Sequence, residues 1–154
     1  MHLNMIFMTL KSMNLDMIQD LWEQDSKIDD DNLHSESTKI PSLHSKYYKL
    51  YNNILVLKKS QENKYKILKK EKWQYYTGRA EPEVYAEYPF DHKVLKGDLD
   101  KYLDADEDII KCLTKIDYYQ MMLDYLDSII KTILNRTYQL KNAIEWQKFI
   151  RGYD

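Results

Sequence analysis

From Leu126 onward the apolar side chains fall at positions 126, 130, 133, 140 and 144, with Thr137 as the one polar member of the series. The steps alternate four and three, the spacing that keeps one face of a helix against a neighbouring helix. Ile109, Leu113, Ile116 and Leu123 extend this seam upstream, and the three-residue step from Leu123 to Leu126 is a stutter-like slip in it. An acidic first turn (Asp104, Asp106, Glu107, Asp108), basic last turns (Lys141, Lys148, Arg151) and a following Gly152 match the two poles of a helix dipole. The pattern predicts one helix over residues 105–151. A second stripe (Tyr47, Leu50, Tyr51, Ile54, Leu57, Tyr65, Leu68, Tyr75, Tyr76) predicts another over residues 43–77, closed by Gly78. Both helices outrun a compact monomer. The expected fold is therefore mainly α, an elongated helical hairpin that also self-associates, with Leu123, Leu126, Ile130, Ile133, Leu140 and Ile144 as candidate oligomerisation residues.

The remainder divides around these two helices. Leu15, Ile18, Leu21 and Trp22 predict a short amphipathic helix over residues 14–25, capped by Asn14 or Asp16. Residues 26–41 read as a connector, with the Asp29-Asp30-Asp31 run, a Ser/Thr cluster and Pro41 as a stop, and Ser42 is placed to cap the long helix after it. Pro82, Pro89 and Gly97 interrupt the helical pattern, so an irregular segment or a β-hairpin is expected over residues 83–103, with Val84 to Tyr88 and His92 to Leu95 as the candidate strands. Four functional segments result: 1–41, 42–79, 80–104 and 105–154. Only three glycines and three prolines occur in 154 residues, too few for a turn-rich β fold. A lone cysteine, Cys112, leaves no internal disulfide and suits a reducing cytoplasm. Met1 to Leu10 has neither a basic n-region nor a small-residue cleavage site, so it is not read as a signal peptide; Met8 and Met13 are alternative starts, which would make the earlier residues a disordered leader. No apolar run reaches the length of a membrane span.

Charge is strongly segregated. Residues 1–45 carry a net −5, residues 46–79 carry +8, residues 80–108 carry −7 and residues 109–154 carry +2, in a chain whose total is −2. The basic block ends in Trp73-Gln74-Tyr75-Tyr76-Thr77-Gly78-Arg79. Cations that neutralise phosphates, interleaved with rings that stack on unpaired bases, are the requirements for holding single-stranded nucleic acid. The candidate DNA-binding residues are Lys58, Lys59, Lys66, Lys69, Lys70, Lys72, Trp73, Tyr75, Tyr76 and Arg79. The competing interpretation is a solvated lysine face on a helix whose tyrosines are core, and composition alone favours it.

Other chemistry finds little support. Asp104-Ala105-Asp106-Glu107-Asp108 resembles the start of a calcium loop, but Ile109 stands where glycine is needed and Lys115 where glutamate is needed. An acidic N-capping turn explains the run better. His2, His34, His44 and His92 have no metal-ligand spacing, and no metal or cofactor is expected. Asn135-Arg136-Thr137 is a sequon in the middle of a helix and is read as accidental. Neither GxxxxGK[ST] nor GxGxxG occurs, and no nucleophile–base pair stands out, so no enzymatic activity is indicated.

The run Lys70-Glu71-Lys72-Trp73-Gln74-Tyr75-Tyr76-Thr77-Gly78-Arg79 resembles the signature of the UvsY family, the recombination mediators of T-even-like phages, in which a basic-x-basic pair precedes a Tyr-Tyr-[Ser/Thr]-Gly-Arg box. Leu103-Asp104-Ala105-Asp106-Glu107-Asp108 leading into the last helix extends the likeness, which covers roughly residues 40–150. Lys70 and Lys72 fall on the family's basic pair implicated in single-stranded DNA binding; both are lysine, which keeps the charge without the guanidinium fork. The resemblance implies a non-catalytic protein in the cytoplasm of a bacterial host, assembled through its C-terminal region into a ring-like homo-oligomer, a hexamer or heptamer. It implies single-stranded DNA, the phage recombinase UvsX and the phage single-strand-binding protein as partners, with the mediator loading the recombinase onto DNA that the latter coats. The alternatives from other classes are a structural coiled-coil protein and a helical adaptor of a replication or recombination complex that does not touch DNA.

Overall fold

The computed structural model describes residues 13–152. His2, Met8 and the rest of Met1 to Leu10 lie outside the described residues. In chain order the helices are α1 (Leu15–Asp25), α2 (Leu33–Tyr76), α3 (Pro82–Glu87), α4 (Leu99–Asp104) and α5 (Glu107–Arg151), and there is no strand among the described residues. Two long helices and a short leading one are the expected elements. No helix is long and apolar enough to cross a membrane among the described residues.

Two boundaries differ from expectation. α2 begins at Leu33 and runs through Pro41, which was expected to end a connector. An interior proline costs a helix about 3 kcal/mol. Burial on both sides of it offsets that cost: Leu33, Glu36 and Tyr47 are all buried. Glu36 keeps its charge partnered through Lys39 at 2.7 Å. The Ser42 hydroxyl, expected as a cap, donates instead to the Lys39 carbonyl at 2.8 Å. The segment expected to be irregular or a β-hairpin holds α3 and α4. Pro82 occupies the first turn of α3, where its fixed φ favours a helix. An isolated two-stranded ribbon is marginal in water, whereas the helical turn lets the Tyr85 hydroxyl donate to the Tyr75 carbonyl at 2.8 Å.

The chain forms two compact units. The first holds the residues up to Leu55 together with those from Met121. Asn14 Oδ1 accepts from the Met17 N–H at 2.8 Å and caps α1, whose Ile18 is fully buried. Trp22 meets Tyr47 edge-on at 5.4 Å, and the Tyr47 hydroxyl donates to Asp25 at 2.9 Å. Burial, then Asp25, push that hydroxyl's pKa far above the ordinary tyrosine value. Arg136, only 4% exposed, sends Nη2 to the carbonyls of Asp25 at 3.1 Å and Ser26 at 2.7 Å, satisfying acceptors that the end of α1 leaves open. Leu123, Leu126, Ile133 and Leu140 are buried in this unit, Ile130 is half-buried and Ile144 is exposed.

The second unit is Val56–Gln120. Here the end of α2 lies antiparallel to the start of α5. Lys58 donates to Gln120 at 2.7 Å, Gln61 to Cys112 Sγ at 3.2 Å and Lys72 to Asp108 at 2.6 Å. Leu103, Ile109 and Cys112 form its buried centre.

Arg136 gives a direct test of the first unit. Arg136→Met keeps the apolar stem and removes two charge-assisted hydrogen bonds, so it is expected to lower unfolding stability by about 2 kcal/mol. A urea titration reads this as a lower midpoint at unchanged slope.

Candidate nucleic-acid interface

The Thr77-Gly78-Arg79 turn is a helix stop with a defined hydrogen-bond pattern. The Arg79 N–H donates to the Gln74 carbonyl at 2.8 Å and the Gly78 N–H to the Tyr75 carbonyl at 3.3 Å, the two bonds of a Schellman motif. Gly78 takes φ +72°, which a residue with a Cβ adopts only at a cost. Arg79 then lies over the Trp73 ring, 4.7 Å from its centroid. Half of the sequence box is thus accounted for by the way α2 ends.

The two tyrosines of the box turn inward. Tyr75 stacks on Tyr85 at 5.6 Å and contacts Phe90 at 5.3 Å, and Tyr76 contacts Phe90 at 5.3 Å and Tyr102 at 5.5 Å. The Tyr76 hydroxyl donates to Asp106 Oδ2 at 2.8 Å. Its pKa is pushed up to about 12 by burial and then by Asp106. Asp106 is itself buried, and its Oδ1 accepts from the backbone N–H groups of Asp108 at 3.0 Å and Ile109 at 3.1 Å, capping α5.

Lys72 reaches the same carboxylate. Its Nζ lies 3.0 Å from Asp106 and 2.6 Å from Asp108, with the side chain 23% exposed. Burial works against the Lys72 charge, but hydrogen bonds to Asp108 and Asp106 outweigh it and hold its pKa above the ordinary lysine value. Burial likewise opposes the Asp106 charge, and Tyr76, Lys72 and the Ile109 N–H reverse that effect, leaving its pKa below the ordinary carboxylate range.

The remaining cations divide by face. Lys58, 20% exposed, pairs with Glu62 at 3.4 Å and lies toward α5. Lys59 also pairs with Glu62, at 2.9 Å, and holds that acid's pKa down, yet its side chain is 67% exposed. Lys59, Lys66, Lys69, Lys70 and Trp73 are all exposed. Steps of seven, four and three between 59, 66, 70 and 73 set these residues on one face of α2. Lys69 Nζ stands 5.8 Å from the Tyr65 ring centroid. The fold therefore brings Lys59, Lys66, Lys69, Lys70, Trp73 and Arg79 to the surface and turns Lys58, Lys72, Tyr75 and Tyr76 toward protein partners. Sequence reasoning missed Tyr85, Phe90 and Tyr102 as the bracing rings, and Asp106 and Asp108 as the partners of Lys72. The pairing had a signal: in a helical hairpin, the basic end of the first helix adjoins the acidic start of the second.

A family model described as recombination, repair and ssDNA binding protein UvsY matches residues 21–153. The chain belongs to the UvsY family. It is 24% identical over 140 residues to the recombination protein uvsY of Enterobacteria phage T4, an alignment covering 91% of this chain and 99% of that protein. Two crystal structures of the bacteriophage T4 recombination mediator protein UvsY share its fold. For lattice type IV the TM-score is 0.79 at 24% identity, covering 89% of this chain and 99% of that one. For lattice type II it is 0.79 at 24% identity, covering 90% and 98%. UvsY proteins act in recombination and repair and bind single-stranded DNA.

The Asp106 site has a defined pH signature. A carboxyl held below its ordinary value of about 4 adds stability that is complete above that value and is lost as pH falls through the lower folded value. A lysine held above about 10.4 adds stability that is complete below that value and is lost as pH rises through the raised one. The pair is therefore fully stabilising between these limits. Asp106→Asn is expected to lower the plateau stability and flatten the acid limb of a stability-versus-pH curve, measured by thermal unfolding from neutral pH downward.

Proposed function

We propose that this chain is a recombination mediator that holds single-stranded DNA along the exposed basic face of α2 and loads a recombinase onto DNA coated by single-strand-binding protein. The observation that supports this reading is the surface row Lys59, Lys66, Lys69, Lys70 and Trp73, with Arg79 lying over the ring. Cations and one stackable ring on a helix face contact phosphates and bases without regard to sequence, as a protein acting anywhere on a genome requires. Residues 42–79 serve as the strand-binding segment and residues 105–154 as the assembly segment. The assembly is a ring-like hexamer or heptamer, in which repeated weak patches gain affinity through multivalency. With Leu123, Leu126, Ile133 and Leu140 buried within the chain, the accessible apolar side chains of α5 include Leu134, Tyr138, Trp146 and Phe149. The partners are single-stranded DNA, a phage recombinase of the UvsX type and a phage single-strand-binding protein, met in the cytoplasm of a bacterial host. The role is non-catalytic.

Fluorescence anisotropy of a labelled oligothymidylate across a salt series tests this. Replacing Lys66, Lys69 and Lys70 together with alanine is expected to weaken binding and to lower the log–log salt slope by about 0.7 for each phosphate no longer neutralised. Unchanged affinity and slope in the folded variant would instead favour the structural or adaptor protein.

A further inference from the structure

Lys72 belongs to the basic pair of the signature, yet its ammonium is already engaged by two carboxylates, and the two are not equivalent. Asp106 is buried and committed: Oδ1 caps α5 through two backbone N–H groups, and Oδ2 takes the Tyr76 hydroxyl at 2.8 Å. The positive pole of the α5 N-terminus also compensates part of its charge. Asp108 has a side chain that is 57% exposed and lies 2.6 Å from Lys72 Nζ. An anionic oxygen at that distance from an ammonium matches the geometry of a phosphate contact. Lys72, Asp108 and Arg79 line one open cleft of about 740 Å³, with Gln74, Tyr75 and Tyr88 also on its walls. A strand phosphate in this cleft would face Arg79 and a lysine already paired with Asp108.

We propose that Asp108 is a built-in competitor of the strand, seated on Lys72 where a phosphate would bind, so that DNA must displace it to reach the ammonium. The inference rests on the strand-binding role proposed above and adds an affinity-setting residue to it. Asp106 holds Lys72 in place, while Asp108 sets how tightly the cleft retains a phosphate. A mediator that passes its strand to another protein benefits from a hold that is deliberately loosened. The same exchange returns Lys72 to a partner when the strand leaves, so no buried charge is stranded in either state.

The test is a double-mutant cycle on the full chain, with labelled oligothymidylate titrated over a salt series against wild type, Asp108→Asn, Lys72→Ala and the pair combined. Asp108→Asn is expected to bind about two- to fivefold more tightly at low salt, the range for releasing an exposed ion pair. Its salt slope should steepen by about 0.7, one further phosphate. Lys72→Ala in the Asp108→Asn background should cancel both gains. Asp108→Asn binding no better than wild type, or a gain that survives loss of Lys72, overturns the competition and leaves the strand-binding role standing. Wild-type protein that does not bind the oligonucleotide at all removes both. A cooperative unfolding transition above the assay temperature verifies that each comparison is between folded proteins; the Lys72→Ala variants are expected to melt lower, because buried Asp106 loses a cationic partner.

Discussion

The buried carboxylate of Asp106 serves two helices at once. One oxygen closes the N-terminus of α5, and the other holds Tyr76 and Lys72 from the last turns of α2. A buried charge is tolerated only when all its acceptor positions are filled, and here four donors fill them. Tyr76, so anchored, sets the ring cluster of Phe90 and Tyr102, while Tyr75 adds Tyr85, whose hydroxyl in turn reaches carbonyls at the end of α2. The glycine turn and the position of Arg79 on Trp73 follow from where α2 is made to stop.

This arrangement sorts the charges of the second unit by role. Cations that face α5 find acceptors there: Lys58 meets Gln120, and Lys72 meets Asp106 and Asp108. Cations on the other face, among them Lys66, Lys69 and Lys70, stay in solvent, where a polyanion can reach them. A basic block of net +8 thus contains both a braced corner and a free surface. Composition cannot separate the two, because a lysine already paired within the chain and a lysine left in solvent look the same in a sequence.

Legibility in the sequence followed the physics of each element. The long helices announced themselves through three-four periodicity, and Asn14, Gly78 and the acidic run at Asp104 to Asp108 marked helix ends through local chemistry. Pro41 misled because its cost is local while the burial of Leu33, Glu36 and Tyr47 that offsets it is tertiary. The segment around α3 and α4 was opaque for a similar reason: two six-residue helices, one held by the Tyr85 hydroxyl and the other by burial of Leu103, are too short to leave a periodic trace. At the candidate site, the box itself was visible as a motif. Its division into an inner pair of tyrosines and an outer Trp73–Arg79 pair became evident only once the acidic turn of α5 was seen beside it.

The central proposal is that exposed Trp73 faces the strand, whereas Tyr75 and Tyr76 pack against the protein's own rings. The measurement that addresses it most directly is the fluorescence of Trp73 in a Trp22→Phe/Trp146→Phe background, where it is the sole tryptophan of the three in the chain. Saturating addition of oligothymidylate is expected to quench its emission by stacking, and raising the salt should restore it in step with dissociation. Binding that saturates by anisotropy while Trp73 emission stays unchanged would contradict the placement of the strand on this face.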